Sequence, residues 1–143
     1  MNLHTASEVI SLVKQLEEEN ACFYEALAET FTEHREMLLS LAREHTKNIP
    51  QVERAYYSVV TDAIEGSFTF DLDTAEYAAG AELRPPATYA DALDQAFQAE
   101  DRMVRLYTHA AEQSKSLLAD VSRTFALIAR KTMNRRDQLG MNP

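Results

Sequence analysis

Residues 10–28 read ISLVKQLEEENACFYEALA, and residues 93–111 read LDQAFQAEDRMVRLYTHAA. In the first stretch, Ile10, Val13, Glu17, Ala21, Tyr24 and Ala28 recur at steps of three and four residues. In the second, Leu93, Ala96, Glu100, Val104, Tyr107 and Ala111 do the same at a constant offset. Such spacing places each set on one face of a helix. Each face carries a glutamate at its middle, where a bundle ordinarily wants leucine. A buried carboxylate costs several kcal/mol unless it is paired, protonated or metal-bound. The two glutamates therefore either meet a compensating group inside or turn out toward solvent.

Four helices follow from working outward. The first is expected over about residues 6–29, opened by a capping box at Thr5-Ala6-Ser7-Glu8. A second capping box at Thr30-Phe31-Thr32-Glu33 predicts a short turn and a second helix over about 33–64. A turn this short makes the two helices antiparallel neighbours. The second stripe is Leu38, Leu41, His45, Asn48, Val52, Tyr56 and Val59, and Pro50 within it predicts a kink. Residues 65–86 break the pattern with Gly66, Gly80, Pro85 and Pro86, leaving room for a short helix around 74–79. A connection of this length can cross the bundle from end to end. The third helix is expected over 89–114, capped by Thr88 with Asp91. The fourth is expected over 118–139, with Gly140 as the residue that ends it. Its stripe is Val121, Phe125, Ile128, Thr132, Arg135 and Leu139. Helices two and four match weakly: Leu38 falls on Phe125, Leu41 on Ile128, Ala42 on Ala129 and Arg43 on Arg130. The chain reads as one all-α domain of two related hairpins.

The 143 residues suffice for one core, and 45% of them are hydrophobic. A net charge of −9 repels phosphate backbones and offers no basic surface to an anionic membrane. No nucleic acid or membrane partner is expected. No apolar run approaches the ~20 residues of a membrane span. The N-terminus has no signal-peptide pattern, and the lone Cys22 suits a reducing cytoplasm, where it reads as a small helix residue. Glu18, Glu19, Glu44 and Asp101 read as solvated helix faces.

The pattern Glu17…Phe23-Tyr24…Ala28 and Glu100…Leu106-Tyr107…Ala111 resembles the first and third helices of rubrerythrin-like, ferritin-fold proteins. The resemblance covers all four helices and implies an antiparallel four-helix bundle with a long crossover between helices two and three. It also implies a di-iron carboxylate centre, with a glutamate from each of those two helices and Glu-x-x-His from each of the others. The chain departs from this set. Leu41-Ala42-Arg43-Glu44-His45-Thr46-Lys47-Asn48 puts His45 and Asn48 at the ligand positions of helix two. Ile128-Ala129-Arg130-Lys131-Thr132-Met133-Asn134-Arg135 puts Thr132 and Arg135 at those of helix four. Arginine cannot ligate a cation, and its planar fork suits a carboxylate. Glu17, Glu100, Arg135 and a protonated His45 sum to zero charge, enough to satisfy a core without metal. The alternative for Arg135 is that its stem snorkels out of the bundle.

Three functions follow as expectations. The first is a ferritin-fold binding or structural module with a remodelled metal site, pairing with a second copy. The second is an iron- or manganese-dependent oxidase or peroxidase using Glu17, His45 and Glu100, with Asn48 or water completing the shell. The third is a small-molecule pocket lined by Tyr24, Tyr107 and the polar residues. A rubredoxin-type iron site needs four cysteines and this chain has one, so its own electron supply of that kind is not expected.

Overall fold

The computed structural model describes residues 2–59, 70–78, 85–115 and 118–141. They form four long helices: α1 (Ala6–Thr30), α2 (Arg35–Val59), α3 (Tyr89–Ser114) and α4 (Ala119–Met141). The start of α1 follows its sequence. Thr5 accepts a hydrogen bond from the Glu8 amide at 3.2 Å, and the Glu8 carboxylate accepts from the His4 and Thr5 amides at 3.1 Å each. Those two amides hold Glu8 below its usual carboxylate range. Thr88 accepts from the Asp91 amide and opens α3 in the expected way.

The expected second capping box is not formed. Thr30 is still the last residue of α1, and its hydroxyl donates back to the Ala26 carbonyl. An N-cap needs extended backbone, which a helical residue cannot supply. The chain breaks instead at Phe31 (φ −110°, ψ 72°), passes through a 3₁₀ turn at Thr32–His34 and enters α2 at Arg35. α2 continues through Pro50 to Val59; the expected extension to residue 64 lies outside the described residues.

The short helix expected around 74–79 is reduced to a 3₁₀ turn at Thr74–Glu76, capped by Asp73. Two-residue strands, unforeseen in the sequence, precede it: β1 (Asn2–Leu3) pairs antiparallel with β2 (Leu72–Asp73). The connection is further tied to α3. Gln113 exchanges two hydrogen bonds with the Asp71 backbone, and the Tyr77 hydroxyl lies 2.5 Å from His109 Nδ1. Phe70, Leu72 and Tyr77 are buried, so this segment covers one end of the core.

Gly140 does not end α4. It is helical, and a Cβ there would stand 3.2 Å from the Phe97 ring. Glycine serves here for close approach of α4 to α3, not for a left-handed cap.

α1 packs mainly on α2, and α3 mainly on α4, with α2–α4 and α1–α3 contacts joining the pairs. The apolar interior divides into two clusters. One gathers Val13, Leu16, Val52, Met103, Leu106, Tyr107, Phe125 and Ala129. The other gathers Ala21, Tyr24, Leu38, Ala42, Ala96 and Leu139. Between them each helix contributes a polar residue. Glu17 falls between Leu16 and Ala21, and His45 and Asn48 fall between Ala42 and Val52. Glu100 falls between Ala96 and Met103, and Thr132 and Arg135 fall between Ala129 and Leu139.

Candidate functional site

The periodic stripes bring this polar layer inside. Glu17, Asn48, Glu100 and Thr132 are 0% exposed, and His45 is 1% exposed. The alternative in which the glutamates reach solvent is therefore not the one adopted. Tyr24 and Tyr107 are fully buried beside them.

His45 lies between the acids. Its Nδ1 is 2.8 Å from Glu17 Oε1, and its Nε2 is 2.7 Å from Glu100 Oε1. An imidazole that donates from both nitrogens is an imidazolium. Burial pushes the His45 pKa down, but the Glu100 and Glu17 carboxylates prevail and raise it to about 9. Burial pushes Glu100 up, and His45, Arg135 and Tyr24 overcome that effect to leave it below the usual carboxylate range. The Tyr24 hydroxyl donates to Glu100 Oε1 at 2.8 Å, and its ring stacks on the imidazole at 5.5 Å. Burial, then Glu100, lift the Tyr24 phenol well above its ordinary value; burial, then Glu17, do the same to Tyr107.

Arg135 is more peripheral than the sequence suggested. Its side chain is 12% exposed, and its guanidinium spans Glu100 Oε2 at 3.9 Å and Glu44 Oε2 at 3.8 Å. It also donates to Thr132 Oγ1 at 3.3 Å. The central cation is thus His45, with Arg135 as an outer one. The sequence signal for this was present: His45 sits in the α2 stripe, where an inward side chain meets the facing acids. Glu44 and Asp101 are not simply solvated. Glu44 pairs with Arg135 and Lys47, and Asp101 pairs with Arg136 at 2.9 Å and with Arg105. Glu18 and Glu19 are exposed, as is the free thiol of Cys22.

The donor set does not fit a two-metal centre. Both ring nitrogens of His45 are committed to carboxylates, and the other positions offer an amide, a hydroxyl and a guanidinium. Among the described residues, no group of three His, Cys, Asp or Glu side chains is arranged to hold a metal ion. The hollow lined by Glu25, Arg35 and Lys47 and the one lined by Arg54, Asp120 and Leu127 both lie away from the tyrosine pair. No described helix is long and apolar enough to cross a membrane. Compared with known proteins, the chain matches no family model, no curated protein and no solved structure.

Proposed function

We propose that this chain is a rubrerythrin-like, ferritin-fold bundle in which an internal ion cluster has replaced the metal centre, and that it acts as a binding or structural module rather than an oxidoreductase. The observation that carries this is the position of His45, bonded through one ring nitrogen to each glutamate. With His45 and Arg135 charged, the layer is neutral without a metal ion. The order of the core supports the topology. α1 and α4 run from the Leu16–Ala129 cluster to the Ala21–Leu139 cluster, whereas α2 and α3 run the other way. That order is the one expected of an antiparallel bundle whose second and third helices run parallel. The end of α2 and the start of α3 therefore lie at opposite ends of a 25-residue helix, a span of about 37 Å at 1.5 Å per residue.

The module is proposed to work in the cytoplasm as a pair of identical chains. Elemental analysis of purified protein, with nitrogen-15 spectra of the His45 ring, tests the central claim. The expected result is no stoichiometric metal and an imidazolium spectrum at neutral pH. Iron or manganese bound at Glu17 and Glu100, with Glu100→Ala abolishing it, would replace this reading with the metal oxidoreductase.

A further inference from the structure

Six polar side-chain atoms of the mid-bundle layer are buried without a hydrogen-bond partner among the described residues. They are Glu17 Oε2, Glu100 Oε2, both amide atoms of Asn48, the Tyr107 hydroxyl and Arg135 Nε. A buried polar group left unpaired costs about 1–3 kcal/mol, and native proteins keep only a few per hundred residues. Glu17, Glu100 and Arg135 all act electrostatically on Tyr107, and Asn48 stands on the inward stripe of α2 one turn from His45, which bonds both glutamates. Asn48 is the plainest case. It is 0% exposed, it lies one turn from His45 on the inward stripe, and neither its donor nor its acceptor is used.

Resting on the charge-balanced reading above, we infer that this layer is a binding site for water, held by Asn48, Tyr107 and the second carboxylate oxygens of Glu17 and Glu100. The chemistry of the free atoms selects the occupant. The two carboxylate oxygens and Asn48 Oδ1 accept; Asn48 Nδ2 and Arg135 Nε donate; the Tyr107 hydroxyl does either. The occupant must therefore donate and accept at once. It must also be uncharged, because two glutamates, His45 and Arg135 already balance. A buried water needs about two to four polar partners, which this layer supplies. Asn48 then occupies the core as a ligand of water. The same oxygens that a cation would take are committed to a neutral, protic guest.

The test is oxygen-17 and deuterium relaxation dispersion on the full chain, treated with chelator and with its metal content measured. The expected result is at least one long-lived internal water, with the dispersion amplitude falling by half or more in Asn48→Leu. That variant is also expected to melt below wild type, because it leaves the water's other partners unpaired. No long-lived water in the wild-type protein overturns the inference, whatever the variant does. So does an Asn48→Leu protein that melts higher than wild type, since a dry, unpaired amide is relieved by an apolar replacement. Metal that survives chelation sinks the underlying reading instead, and the elemental analysis reports it separately.

Discussion

His45 Nε2 stands 2.7 Å from Glu100 Oε1, the same oxygen that receives the Tyr24 hydroxyl at 2.8 Å. Because His45 Nδ1 also meets Glu17, a single imidazolium ties α1, α2 and α3 together at mid-height. The proton that makes it a cation is thus a structural component of the bundle, and titrating it should titrate stability.

The direction of that dependence follows from the raised pKa. Burial opposes the charge, but the carboxylates lift His45 from 6.5 to about 9. A group bound more tightly to its proton in the folded state stabilises fully below pH 6.5. That contribution fades as the pH climbs through about 9, and amounts to roughly 3 kcal/mol. Glu100, shifted downward, contributes above its ordinary value of 4.5 and loses that contribution as pH falls through its folded value. Urea midpoints should therefore decline between about pH 7 and pH 9 in the wild type, below the range where unfolded tyrosines ionise appreciably. The decline should be absent in His45→Gln. A flat wild-type profile would mean that His45 is neutral in the fold.

Removing the imidazole leaves two buried acids with only a distant guanidinium. His45→Leu should cost about 3–5 kcal/mol, the usual penalty for breaking a buried ion pair by deleting one partner. Adding Glu17→Gln should recover part of that loss, since the variant then carries one fewer uncompensated charge. A double-mutant cycle from denaturant curves measures the coupling. Strictly additive losses would sink the claim that the two side chains act as a unit.

Arg135 should matter less. Its contacts with Glu100 and Glu44 are long, and its side chain is 12% exposed. Arg135→Met keeps the stem's packing and should cost about 1–2 kcal/mol, mostly through Glu100 Oε2 and Thr132. Equilibrium unfolding beside His45→Leu decides the ranking. A loss equal to the histidine variant's would show that the outer cation carries the cluster.

Which parts of this molecule the sequence discloses depends on how local their causes are. The inward stripes of α1 and α3 are periodic, and every residue assigned to them is buried. The capping box at Thr5 is equally local. Thr30 misleads because its motif matches a cap, while its backbone still belongs to the preceding helix. Gly140 misleads because a close approach to Phe97 from another helix looks, in one dimension, like a helix end. The β1–β2 pair joins residues some seventy positions apart and has no periodic signal in two-residue strands. At the site, charge balance is visible from residue types alone. His45 and Arg135 both lie on inward stripes, so the stripes place each of them inside without ranking them; the structure ranks them, with the His45 side chain 1% exposed and that of Arg135 12% exposed.

Pro50 offers a test of whether α2 is strained at the level of this layer. It is exposed and lies inside a continuous helix, where its ring leaves the Thr46 carbonyl without an amide donor from position 50. Proline in a helix interior is about 3 kcal/mol worse than alanine, and its stiffening of the unfolded chain returns no more than about 1 kcal/mol. Pro50→Ala should thus stabilise the fold by roughly 2 kcal/mol, read as a higher urea midpoint at unchanged slope. The His45 titration should stay where it is, because the carboxylates that raise it come from α1 and α3. A higher midpoint accompanied by a fall in the His45 pKa would mean that Pro50 holds α2 in the shape that seats the imidazole between the acids. In that case stability was given up for the geometry of the cluster. A lower midpoint would instead make the proline ring itself part of the packing that α2 requires.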